Sequence, residues 1–339
     1  ARSQSTHSAW LELIYYEKLG GDCMQPLIEA KGLVKCFGDL RAVDGISLSV
    51  PQGEVLGFLG PNGAGKTTTM KMLTGFLAPS EGEASICGEL VTTGTASVRR
   101  NIGYLPEGAP LYGEMTPASF LTFIAETHGL TGAVAKNAIA AAADAVNIDK
   151  VMHQRIETLS KGFRRRVGLA GAILHNPKVL ILDEPTDGLD PNQKHEVRRL
   201  IEGLSSDRAI IISTHILEEV EALCDRAVVI REGHIVADDT PRKLKARSAY
   251  AGAVSLLLPA KDAKALVAAA TSLAGLNAIE KVKVGKDVRL TLLANNGANI
   301  ADSVGDLVAS GGWHVSQYSV DAGRLDDVFR RLTLGRDTE

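Results

Sequence analysis

Nine consecutive residues, Gly60-Pro61-Asn62-Gly63-Ala64-Gly65-Lys66-Thr67-Thr68, constrain this chain more than any others. They follow the apolar run Val55-Leu56-Gly57-Phe58-Leu59, which reads as a buried strand, and a helix pattern begins directly after them. Strand, glycine-rich turn and helix in that order aim backbone N–H groups and a helix N-terminus at one point, an arrangement suited to a di- or triphosphate. The spacing of glycine, four residues, glycine, lysine and threonine then gives Lys66 the outer phosphates and the Thr67 hydroxyl a Mg²⁺ ion.

The rest of the chain supplies the frame. Upstream, Leu27-Ile28-Glu29-Ala30 and Ala42–Val50 read as strands. Between about residues 97 and 177 the texture turns helical. Thr116-Pro117 is a cap and first-turn pair leading into Ser119–Ala125, and the alanine-rich run from Thr131 to Val146 predicts another helix. Val179–Asp183 and Ala209–Ser213 are apolar on both faces, as strands of a mainly parallel sheet covered by helices are. The fold class is therefore α/β with an inserted helical subdomain. After the basic closing stretch Thr240–Arg247, the order is strand, helix, strand, strand, helix, strand from Ala253 to Val320, with a terminal helix from Arg324 to Leu332. That order predicts a small ferredoxin-like α+β domain. The expected domains are residues 24–248 and 250–339. Residues 1–23 read as a non-native or disordered extension ahead of a natural start at Met24; the alternative is a genuine extension with a short amphipathic helix over Trp10–Tyr16.

Composition narrows the function classes. With 339 residues, 45% of them hydrophobic, both domains can bury a core, and a formal net charge of −3 gives no basic excess that would mark a nucleic-acid partner. The four cysteines, Cys23, Cys36, Cys87 and Cys224, have no paired spacing, which argues against a zinc site or a disulfide framework and fits a reducing cytoplasm. No apolar run reaches the roughly 18 residues of a membrane span, so a membrane role requires a partner.

Other residues carry chemistry by their position. Asp183 ends an apolar strand, where a carboxylate holds Mg²⁺ beside a phosphate loop, and Glu184 follows it as a candidate general base for an attacking water. Leu159-Ser160-Lys161-Gly162-Phe163 opens a helix, so Ser160 and Gly162 form a second anion site at a helix N-terminus. At least two of the three arginines Arg164, Arg165 and Arg166 are expected on a solvated helix face. His215, after a strand, is placed either for a γ-phosphate or for a structural role; Phe37, upstream of the loop, either stacks on a purine or packs in the core, and the residues alone favour packing.

Taken in order, these elements resemble the ATP-binding cassette ATPases, the motor subunits of ABC transporters. The resemblance covers Leu27 to about Ala246: phosphate loop at Gly60, signature at Leu159, metal strand Val179–Asp183, Glu184, the turn Asp187-Gly188-Leu189-Asp190 and a switch histidine at His215. It implies that Phe37 stacks on adenine and that two chains bind head to tail around two Mg-ATP. Gly60, Pro61, Asn62, Gly63, Ala64, Gly65, Lys66, Thr67 and Thr68 would hold each nucleotide from one chain. Ser160, Lys161 and Gly162 would close on it from the other, and Asp190 would be a further nucleotide-binding residue. Thr67, Asp183 and, through water, Glu107 would bind Mg²⁺, while Glu184, His215 and Lys66 would carry catalysis. Two departures stand out: Lys161 and Phe163 replace the first glycine and the glutamine of the usual signature, and Glu107 stands where the family has a glutamine.

The tail, with Arg324-Leu325-Asp326-Asp327-Val328-Phe329-Arg330-Arg331-Leu332-Thr333, resembles the accessory C-terminal domains of ATPases serving bacterial multidrug-, polysaccharide- and gliding-motility-type exporters. The resemblances together imply a cytoplasmic Mg²⁺-dependent ATPase, peripheral on the inner face of the membrane. It would drive a separate integral-membrane permease docked near Glu107 to Phe123. The rival reading is a soluble ABC-type ATPase acting on ribosomes or DNA; those proteins usually carry two cassettes or a long coiled-coil insertion, whereas this chain has one phosphate loop and no sustained heptads. A regulatory ATP-binding module with negligible turnover is a third, resting on Glu107 alone.

Overall fold

The computed structural model describes residues 26–109, 111–295 and 298–334. The expected start at Met24, the extension before it and the candidate helix over Trp10–Tyr16 lie outside the described residues. The chain separates into two compact units: residues up to Val55 with Thr67–Ile212, and Leu56–Lys66 with Ser213 onward.

In chain order the elements begin with β1 (Ile28–Phe37), β2 (Leu40–Val50), β3 (Val55–Leu59) and α1 (Lys66–Leu73). Next come β4 (Glu81–Ile86), β5 (Glu89–Leu90), α2 (Ala96–Arg100) and β6 (Ile102–Leu105). The helical stretch holds α3 (Pro117–Thr127), α4 (Gly132–Ala145) and α5 (Lys161–Ile173), followed by β7 (Val179–Asp183), α6 (Pro191–Ser205) and β8 (Ala209–Thr214). The remainder is α7 (Leu217–Leu223), β9 (Arg226–Arg231), β10 (His234–Asp239), α8 (Pro241–Lys245), β11 (Ala251–Pro259), α9 (Ala260–Ala270), β12 (Leu276–Val284), β13 (Asp287–Ala294), α10 (Ala301–Gly311), β14 (Gln317–Ala322) and α11 (Leu325–Leu334).

In the first unit, an antiparallel sheet of order β2-β1-β4-β5 lies apart from β6, β7 and β8, which run side by side. β6 and β7 are parallel, with Tyr104 opposite Ile181. Every residue of β7 and β8 is buried, as a sheet covered on both faces demands. The helix α3 starts where a capping box dictates: the Thr116 hydroxyl accepts from the Ser119 N–H at 3.2 Å, and Ser119 Oγ accepts from the Thr116 N–H at 2.9 Å. Its buried stripe includes Phe120 and Leu121, each contributing about 1.5–3 kcal/mol by leaving water. Glycines on α5 let neighbours approach: a Cβ on Gly171 would stand 3.2 Å from the Phe120 ring of α3, and one on Gly168 would stand 2.9 Å from Leu105 of β6.

In the second unit β3 pairs in parallel with β9, Leu56 opposite Arg226 and Leu59 opposite Val229, and β10 returns antiparallel to β9. The C-terminal sheet has the order β12-β13-β11-β14 with antiparallel neighbours, the ferredoxin-like arrangement that the element order predicted. One face of it, Val254, Leu256, Leu258, Val288, Leu290 and Leu292, closes a core with α9 and α10. The terminal helix α11 packs back on β9 and α8. It locks the linker in place: Asp327 accepts from the Ser248 hydroxyl at 2.8 Å and the Ala249 N–H at 2.9 Å, and the Arg324 guanidinium lies 3.7 Å from the Tyr250 ring centroid.

Candidate functional site

The loop between β3 and α1 belongs to the second unit as far as Lys66. Gly63 and Gly65 adopt φ of 81° and 105°, values that glycine reaches without a Cβ penalty. Gly60 is required for another reason, since a Cβ there would stand 2.6 Å from the Ile230 carbonyl oxygen. Lys66 is buried, and its Nζ donates to the Gly60 carbonyl at 2.6 Å and the Pro61 carbonyl at 3.1 Å, so the ammonium sits inside the curve of the loop. Also in this unit, the turn carrying His215 is braced by Thr214, whose hydroxyl donates to the buried Glu219 carboxylate at 3.0 Å and accepts from the Ile216 N–H at 3.0 Å. His215 itself is exposed.

Thr67, the residue after Lys66 on α1, lies in the first unit and meets the metal strand there. Its hydroxyl donates to Asp183 Oδ2 at 3.0 Å, and Asp183 is 1% exposed. A hydroxyl and a carboxylate at hydrogen-bond distance are hard oxygen ligands of the kind that could hold Mg²⁺ together with phosphate oxygens and water. Among the described residues no group of three histidine, cysteine, aspartate or glutamate side chains could hold a metal by itself. Glu107 is exposed on the turn after β6. Glu184 stands at the end of β7 with φ of 51°, the left-handed region that non-glycine residues rarely enter.

The signature segment folds as its caps predict. Ser160 caps α5, accepting from the Phe163 N–H at 3.3 Å, and Gly162 leaves room for the Gln193 side chain, 2.6 Å from where its Cβ would be. Lys161 pairs with Asp187 at 2.8 Å, tying the signature to the turn after β7. Asp190 caps α6 through the Gln193 N–H at 2.9 Å. Phe37 is 49% exposed at the end of β1, so the packing that its sequence alone favoured is not its role.

The expectation that two of the three arginines would be solvated is overturned: Arg165 is 5% exposed and Arg166 7%, and Arg164 alone is exposed. Arg166 forms an ion pair with Glu196 at 2.9 Å. Arg165 donates through Nη2 to the carbonyls of both Asp183 and Glu184, and through Nη1 to the Pro106 carbonyl at 3.1 Å. Burial lowers the Arg165 pKa, while Asp183, Asp187, Glu184 and Glu107 all pull it the other way. Burial along α5 does not follow one face: every residue from Arg165 to Ala172 is buried, and the two arginines go inside with the rest of the helix.

Behind the turn, between α2, β6, α3 and α5, a cleft of about 960 Å³ opens in the first unit. Phe76, Tyr112 and Phe123 are exposed on its lining, Arg99 and Arg100 add charge, and His128 and His175 stack in it. Of the Glu107 to Phe123 stretch read from the sequence as a docking surface, Ala109, Leu111, Tyr112, Phe120 and Phe123 line it.

A family model described as "ABC transporter" matches residues 43–187. The "Nod factor export ATP-binding protein I" of Burkholderia orbicola is 39% identical over 218 residues, covering 64% of this chain and 72% of that protein. The chain belongs to the ABC transporter ATP-binding proteins. The "Probable multidrug ABC transporter ATP-binding protein YbhF" of Escherichia coli is 36% identical over 226 residues, which are 66% of this ABC protein but only 39% of that relative's length. A solved structure titled "Structure of ATP binding subunit of ABC transporter" superposes with a TM-score of 0.61 at 30% identity, over 65% of this chain and 92% of that one. The fold is thus the P-loop cassette of this family.

Proposed function

We propose that this chain binds Mg-ATP and hydrolyses it as a homodimer that drives a separate membrane permease of export type. The observation carrying the reading is the Thr67–Asp183 hydrogen bond, which joins the end of the phosphate loop to the end of the metal strand across 116 residues of sequence. Mg²⁺, when bound by these two residues and the phosphates, neutralises charge on the β- and γ-oxygens. Lys66 and the loop N–H groups hold the phosphates from their other side. Glu184 accepts a proton from water as the water oxygen attacks the γ-phosphorus. The bond to the β–γ bridging oxygen then breaks, leaving ADP and phosphate, and His215 holds the γ-phosphate in line. Ser160, Lys161, Gly162 and Asp190 of a second copy close the site, and Phe37 stacks on adenine.

Among the described residues no helix is long and apolar enough to cross a membrane. The permease docks in the cleft lined by Tyr112 and Phe123, which holds the ATPase at the inner face of the membrane. The exporter names of the relatives support transport over a clamp on ribosomes or DNA. The test is ATP turnover and oligomeric state of wild type and Glu184→Gln with and without Mg-ATP. We expect turnover to fall about 10²- to 10⁴-fold in the variant, with an ATP-stabilised dimer retained. Equal turnover in the two proteins removes Glu184 from this role.

A further inference from the structure

Arg165 has a place in this chain that the phosphate chemistry alone does not explain. Its guanidinium is buried, a position that calls for a compensated charge; both terminal nitrogens donate to main-chain carbonyls, while Nε is buried without a partner. Two donors are spent on main-chain carbonyls at the end of β7, those of Asp183 and Glu184, and a third on Pro106, the residue before Glu107. One side chain therefore clamps the strand end that carries the metal and base carboxylates to the turn that carries Glu107. The clamped strand end is conformationally unusual, because Glu184 holds φ of 51° and a non-glycine residue stays there only when its surroundings fix it. The charge has a counterpart as well. Glu107 puts a carboxylate where the resemblance expects a neutral glutamine, next to the Pro106 carbonyl that Arg165 holds, and its field on the guanidinium adds to the larger ones of Asp183, Asp187 and Glu184.

We propose that Arg165 is a positioning residue: its planar fork fixes the Glu184 main chain against the Pro106–Glu107 turn, and its charge offsets the carboxylate of Glu107. The proposal rests on reading Glu184 as the general base. It separates into a geometric part, which should act on kcat, and an electrostatic part, which should act on nucleotide affinity.

The full-length chain is made as Arg165→Gln, Arg165→Lys, Glu107→Gln and the Arg165→Gln/Glu107→Gln pair, with Glu184→Gln as control. Steady-state turnover gives kcat, and titration with Mg²⁺ and a non-hydrolysable ATP analogue gives Kd. Arg165→Gln should lose about 100-fold in kcat and bind the analogue about fivefold more weakly. Arg165→Lys restores the charge but not the fork, so its Kd should be that of wild type while kcat stays low. Adding Glu107→Gln to Arg165→Gln should restore Kd and leave kcat low, a separation that general loosening of the structure would not produce. An Arg165→Gln protein with wild-type kcat overturns the proposal, as does a double variant that binds no better than Arg165→Gln. If neither Arg165 variant folds, Glu107→Gln decides: with the arginine charge unopposed, Kd should tighten about fivefold, and an unchanged Kd overturns the proposal. An inactive Glu184→Gln beside a fully active Arg165→Gln sinks the positioning role alone, whereas a fully active Glu184→Gln takes both readings down.

Discussion

Acidification should weaken the first unit through one histidine. His128 and His175 stack with ring centroids 3.7 Å apart and an 11° angle between planes. His175 Nε2 lies 3.0 Å from the Ile102 carbonyl, a hydrogen bond only if Nε2 carries the proton, which leaves Nδ1 as the bare nitrogen. That Nδ1 is buried without a partner, so a second proton there finds no acceptor. Burial first, and then the neighbouring His128, push His175 from 6.5 down to about 4. Because the folded value is the lower one, the unfolded chain binds more protons between these values. Stability is full above pH 6.5 and is lost as pH falls toward 4. Between pH 7 and pH 5 the full shift would remove about 2 kcal/mol, and partial solvent screening of the pair brings this to about 1 kcal/mol. His175→Phe keeps a ring on His128 but cannot titrate. It loses the Ile102 hydrogen bond and starts less stable at pH 7, yet the gap to wild type should narrow by about 1 kcal/mol at pH 5. Followed by far-UV circular dichroism, that is a narrowing of about 2–4 °C in melting midpoint. Parallel pH dependences in the two proteins would refute the argument.

Two further substitutions test the nucleotide loop and the base platform. Gly60→Ala forces a Cβ to within 2.6 Å of the Ile230 carbonyl, so the loop must open, and equilibrium binding of Mg-ATP should weaken at least about tenfold with a lower melting midpoint. Phe37→Ala removes a ring that is half exposed, so stability should hold within about 1 kcal/mol while the Kd for ATP rises about tenfold; an unchanged Kd would mean that the adenine lies elsewhere.

How far the sequence could be read depends on how local each constraint is. The phosphate loop, the Thr116 and Ser160 caps and the all-apolar strands β7 and β8 were legible because turn chemistry and burial on both faces act over a few residues. The β-α-β-β-α-β order of the tail was enough to predict its sheet, since antiparallel pairing and short connections leave few alternatives. The burial of Arg165 and Arg166 was not legible in this way, because a run of three arginines reads as solvated whereas every α5 residue from Arg165 to Ala172 is buried. No period announces the partners those arginines take. Nor could any local pattern place His128 against His175, because that stack joins the end of α3 to the residues beyond α5. The two unusual charges of the site make the point most sharply. Glu107 looks like a lapse from the family pattern when met along the chain, and Arg165 like one more charge on a solvated helix face. In space one guanidinium reaches the turn of the first and the strand end that carries Asp183 and Glu184 together. A departure that seems to weaken a site is therefore best judged with its neighbours in the fold, since the residue that compensates it need not be near it in sequence.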